Sequence, residues 1–224
     1  DGIDFAVTTH WHFDHAEGNL ALGPAGTWLI AHENSREMMK TDHVINLVIT
    51  AYEQKAYPES AWPDITFDDD MQFHLNGQTI DLMHFGPAHT TGDTAVIFQG
   101  SNAVHLGDVF NNTGYPFIDA GNGGGLEGLI EFCKQTLLNI DEDTVVIPGH
   151  GPVTDYKALS DYIVSYGHDT QTHQLADQMH ARYRALRPRA ALASARVPVP
   201  VPMPLVVLAV TVTFKAAALS LRLA

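Results

Sequence analysis

Near the start of the chain, His10-Trp11-His12-Phe13-Asp14-His15 puts three imidazoles and a carboxylate into six residues. In an extended backbone side chains alternate, so His10, His12 and Asp14 point the same way and His15 opens the following turn. Nitrogen and carboxylate donors in this mixture suit zinc and other borderline divalent cations. Three further residues of these types stand where strands are expected to stop. His89 lies in Gly86-Pro87-Ala88-His89, Asp108 in His105-Leu106-Gly107-Asp108, and His150 in Pro148-Gly149-His150-Gly151. The single cysteine, Cys133, falls in a helical pattern, which excludes a disulfide framework and a cysteine-based zinc site. There is no Gly-x-Ser-x-Gly elbow to present a serine nucleophile. The glycines at 121 and 123–125 have no Lys-Ser/Thr after them, so they read as the lead-in to a helix and not as a phosphate loop.

Elements that could position these residues alternate along the chain. Ile3, Phe5 and Val7 alternate before the first histidine and predict a strand, and Thr27 to Ala31 predicts another. A polar helix is expected from about Ser35, and residues 44–56 suit a second helix, broken by Pro58 and Pro63. Asn76-Gly77 between two alternating runs predicts a hairpin over residues 71–85. Strands over 94–98 and 103–106 follow, then an amphipathic helix over 126–140 and a buried strand over 144–147. Thr154 or Asp155 is expected to cap a long helix reaching the mid-180s, with His173 and His180 on one face of it. Trp11 and Phe13 alternate with the ligands and are expected to pack away from them. The pattern is that of a layered α/β domain.

Composition bounds the function. The chain has 224 residues, 45% hydrophobic and 17% charged, with a mean hydropathy of −0.05, which describes a globular domain with a sizeable core. Residues 1–177 carry all 26 acidic residues and five of the 12 basic ones, a net charge of −21, which disfavours a nucleic-acid partner. Residues 178–224 carry the remaining seven basic residues and no acidic one. A folded domain is therefore expected over 1–189 and a low-complexity Pro/Val/Ala-rich tail over 190–224. The apolar run Leu205 to Phe214 is too short to span a membrane, and no membrane partner is expected.

Taken in order, HxHxDH, GPAHTTGD, HLGD and PGHG resemble the metallo-β-lactamase-fold hydrolase superfamily over residues 1 to about 155. The resemblance implies an αββα sandwich holding two divalent metal ions, with zinc first and iron or manganese as alternatives. It implies His10, His12 and His89 at one metal, and Asp14, His15 and His150 at the other, with Asp108 bridging both. An aspartate at the bridge resembles the glyoxalase II and lactonase branches and departs from the lactamase subclass with cysteine there. Few residues precede HxHxDH compared with what the superfamily implies, so an N-terminally truncated domain is expected. The stretch from Gly107 through the Gly-rich loop also resembles a group of bacterial hydrolases, which implies a periplasmic or secreted location.

The chemistry so implied is attack on an ester-like carbonyl (thioester, lactone or a related ester) by a metal-bridging hydroxide, with Asp14 and Asp108 as the catalytic carboxylates. Asn111 and Tyr115 are the candidate substrate contacts on a small molecule. The alternatives are β-lactam hydrolysis and a truncated, non-catalytic metal-binding domain.

Overall fold

A computed structural model describes residues 2–47, 50–167 and 212–214. Its first sheet is built on β1 (Phe5–Val7), β2 (Trp28–His32) and β5 (Ile65–Phe67), all parallel, with β12 (Val212–Phe214) antiparallel along the outer side of β1. The second sheet has the order β11 (Thr154–Asp155), β10 (Val145–Ile147), β9 (Ala103–His105), β8 (Ala95–Phe98), β7 (Gln78–Met83), β6 (Asp70–Leu75). Strands β6 to β9 form an antiparallel meander, and β10 then joins β9 in parallel.

Two apolar layers hold the sheets together. Val7, Ile30 and Phe67 face Ile80, Leu82, Val96 and Phe98 between the sheets. Alternate residues of the second sheet, Ala95, Ile97, Val104 and Val146, face outward onto α4 (Leu126–Leu138) and α5 (Tyr156–Gly167). Burial of Leu126, Leu129, Ile130, Phe132 and Cys133 along α4 follows the spacing of one helical face. On the other side α3 (Glu33–Met39) lies against β2 and β5. The order helix, sheet, sheet, helices is the αββα sandwich. Each layer exists because a strand with period-two burial must cover both faces of its sheet.

One expected element is wrong in type. Residues 44–56 form a hairpin, β3 (His43–Asn46) and β4 (Ala51–Gln54), and not a helix. Ala51, Glu53, Gln54 and Lys55 favour a helix locally, but Gln54 is buried with its Nε2 donating to the Trp11 carbonyl, and Ile45 joins the cluster around Trp11. Tertiary contacts override propensity here. Trp11 itself is fully buried in that cluster, as expected, while Phe13 is partly buried at its edge. Asp155 does accept from the Ala158 N–H at the start of α5. The helix expected past Gly167, with His173 and His180, lies outside the described residues, as does the tail except for Val212–Phe214.

Candidate metal centre

The HxHxDH segment spans a strand-to-helix junction. β1 stops at Val7, Thr8 still donates to the Ile30 carbonyl, and His12 is the extended N-cap residue of the four-residue helix α1 (Phe13–Ala16). His12 thus leaves from extended backbone, His10 from the bend just before it, and Asp14 and His15 from the first helical turn. His89 comes from the loop after β7, Asp108 from the turn after β9, and His150 from the loop after β10. All seven residues arrive at one edge of the sandwich and form two groups: His10, His12 and His89, then Asp14, His15, Asp108 and His150. Within each group the donor atoms lie within 4.8 Å of one another. The first group is fully buried, whereas His150 is 42% exposed at its side chain and Asp14 25%, so the second group faces the opening.

Hydrogen bonding settles where the protons sit in the first group. His12 Nε2 lies 2.9 Å from the Asp119 carboxylate, and His89 Nδ1 lies 2.7 Å from the Phe117 carbonyl. Both acceptors require N–H donors, so in the neutral imidazoles the opposite nitrogens carry lone pairs. Those two, His12 Nδ1 and His89 Nε2, face each other at 3.0 Å. Two lone pairs at that distance repel unless a cation lies between them, and His10 Nε2, also buried, has no partner of its own. The donor set therefore fits a divalent metal. In the second group Asp108 reaches His15 Nε2 at 3.1 Å and His150 Nε2 at 3.3 Å, and lies 3.7 Å from His89 Nε2 of the first group. Asp14 Oδ2 lies 3.1 Å from His150 Nε2 and 3.4 Å from His15 Nε2.

The two groups differ in protonation. Burial pushes the His10 and His89 imidazoles down, with neighbouring imidazoles adding to it at His10, so both are neutral near pH 7. His15 is also opposed by burial, but the Asp108 and Asp14 carboxylates outweigh that and raise it to about 9. Hydrogen bonds to Asp108 and Asp14 raise His150 to about 10. Burial acts upward on Asp14 and Asp108, and the surrounding imidazoles overcome it, holding both well below the usual carboxylate range. An ion entering the second group must displace the protons of His15 and His150, whereas one entering the first finds lone pairs ready. Calorimetric titration at pH 7 in buffers of different ionisation enthalpy should show release of about two protons for one ion and about none for the other. Affinity at the second group should fall as pH is lowered from about 9. Equal proton release in both steps would contradict this assignment.

Sequence reasoning missed Asp119. It is 1% exposed, its backbone N–H donates to the His89 carbonyl, and its carboxylate receives both His12 and the Asn122 amide. It lies 107 residues from His12, and no spacing signal connects them. Asp119→Ala should weaken the metal held by the first group about 10–100-fold, read by competition with a chromogenic chelator. Asn111 and Tyr115 sit on the loop after Asp108. The Asn111 carboxamide oxygen accepts from Thr113 within that loop, and Tyr115 is 60% exposed beside Tyr166. The remaining histidines of the described residues, His32, His43, His74, His84 and His105, stand outside both groups.

A family model of the metallo-β-lactamase superfamily matches residues 1–150. The curated protein "Probable metallo-hydrolase YqgX" of Bacillus subtilis (strain 168) is 29% identical over 154 residues, covering 66% of this chain and 69% of the relative. Among solved structures, a metallo-β-lactamase from Pontibacter korlensis superposes with a TM-score of 0.54 at 20% identity, covering 72% of this chain and 69% of the other. BLEG-1, a B3 metallo-β-lactamase, gives 0.55 at 22% identity, with 69% and 73% covered. These likenesses share the sandwich. With two thirds of its length matched by the family model and the donor groups in their places, the chain belongs to the metallo-β-lactamase superfamily of metal-dependent hydrolases.

Proposed function

We propose that this chain hydrolyses a small ester-like substrate, a thioester or lactone, with two divalent ions, zinc first, held by the two donor groups. The observation that carries the reading is the pair of opposed lone pairs on His12 and His89, beside a second group that shares Asp108 with them at 3.7 Å. Ions bound there would polarise a carbonyl oxygen and bring a water towards a neutral pKa. The chain's own residues supply the rest. Asp108 spans the two groups and neutralises part of their charge. Asp14, at the open side, orients the attacking water through Oδ2 and passes its proton to the leaving oxygen or sulfur. Phe117 lies 6.1 Å from the His12 ring and 5.4 Å from the His89 ring, and together with buried Trp11 it keeps bulk water from the first group. Asn111, whose backbone bridges that of His150, and Tyr115 on the same loop would contact the acyl or leaving group.

The test is elemental analysis of the purified chain followed by a panel of thioesters, lactones and β-lactams. About two ions per chain with turnover of a thioester or lactone is expected. Preference for β-lactams would move the activity to that class, and no bound metal in a folded chain would overturn the reading.

A further inference from the structure

We propose that His105 is a positioning residue for the second donor group, accepting through Nε2, directly or by way of one water, the Nδ1–H of His15. This rests on the dinuclear reading above. A metal-ligating imidazole generally donates its other N–H to an acceptor, which fixes tautomer and ring orientation. His12 and His89 have such acceptors in Asp119 and the Phe117 carbonyl. His15 directs Nε2 at Asp108 and Asp14, and its Nδ1 is buried without a partner. A complementary atom stands on β9. His105, fully buried on β9, donates Nδ1–H to the Ile147 carbonyl at 3.1 Å, which leaves Nε2 as a lone-pair acceptor with nothing to accept.

The sheet register sets the direction in which His105 faces. His105 lies opposite Val96, whose side chain is in the layer between the sheets, so His105 faces that layer too. The turn that follows β9 carries Gly107, where a Cβ would lie 2.6 Å from Thr9 Oγ1 and 3.4 Å from His10 Nδ1. The His10 ring in turn lies 4.2 Å from the His15 ring. Thr94, just before β8, donates its N–H to the Thr9 carbonyl at 2.9 Å and has a third buried atom without a partner, Oγ1. Burial keeps His105 neutral, with its pKa pulled down to about 4, and the charge on His15 acts in the same direction. A neutral acceptor suits the role: a carboxylate there would bind the His15 proton more strongly and add charge beneath the site.

The experiment compares His105→Leu and His105→Gln in the full chain, stripped of metal and titrated with zinc against a chromogenic chelator. For His105→Leu the tighter constant should stay within about threefold of wild type and the second should weaken about 10–100-fold. His105→Gln, whose carboxamide oxygen restores an acceptor, should recover most of that loss. In the cobalt-substituted protein, the exchangeable His15 N–H resonance should persist in wild type and His105→Gln and exchange away in His105→Leu. An unchanged second constant in His105→Leu overturns the role of His105 alone. Equal weakening of both constants in both variants also overturns it, leaving His105 as a packing residue. Failure of the wild-type chain to take up a second ion overturns the dinuclear reading instead.

Discussion

Asp108→Ala will lose the second ion and reduce kcat/KM by on the order of 10³-fold or more. No other carboxylate of the two groups lies within 4 Å of imidazoles from both, reaching His15, His150 and His89 at 3.1, 3.3 and 3.7 Å. Its removal takes away one donor and also the negative charge that holds His15 and His150 in place. In the metal-stripped protein the same substitution will lower the pKa of both histidines, since Asp108 raises each of them. The sign for stability follows. A histidine whose folded pKa is above its unfolded value stabilises the fold below about pH 6.5 and loses that contribution as pH rises towards 9 or 10. Wild-type protein in chelator should therefore lose this part of its stability between about pH 6.5 and 10, and Asp108→Ala should lose much less over that range. Metal content, turnover and melting temperature against pH read the three effects. Two ions retained per Asp108→Ala chain would remove Asp108 from the site.

Gly149→Ala will have nearly as large an effect, although the residue carries no functional group. A Cβ at this position would lie 1.9 Å from Asp108 Oδ1, 2.6 Å from the Gly107 carbonyl carbon and 2.8 Å from the Asp108 nitrogen. Two of those three atoms are backbone, so no rotamer change relieves the clash. The Gly149 N–H donates to Gly107 O at 2.7 Å and to Phe110 O at 3.2 Å, which holds the two loops at this separation. Adding a methyl group must push the His150 loop away from the Asp108 turn. The expected cost is about 1–3 kcal/mol of stability, as for overpacking elsewhere. Weakening of the second ion by about 100-fold is expected on the same scale as losing a supporting contact. Gly125→Ala is the control: it has open space around it, an extended φ of −158° and a position at the start of α4, and should leave metal binding unchanged. Wild-type zinc affinity in Gly149→Ala would show that the loops separate freely.

The seven candidate donor residues were legible in the sequence as an ordered set of motifs, since His89, Asp108 and His150 each carry little signal apart from HxHxDH. A period-two alternation ending in His-x-His-x-Asp-His says which side chains share a face, and a short apolar run followed by Gly-Asp or Gly-His marks a strand end. The layered α/β class was legible for the same reason. The hairpin over His43–Gln54 was not, since its pairing is stabilised by the contact of Gln54 with Trp11, 43 residues away. Asp119, His105 and Gly149 look like an ordinary acid, an ordinary strand residue and an ordinary loop glycine until the chain is folded. What the sequence by itself determined was the chemistry available, imidazoles and carboxylates at strand ends. Only the tertiary structure decided which nitrogens of His12 and His89 face their buried acceptors, and which buried groups stand behind the ligands. Those properties depend on the register between strands and on loop-to-loop packing across more than a hundred residues, and no local pattern specifies either.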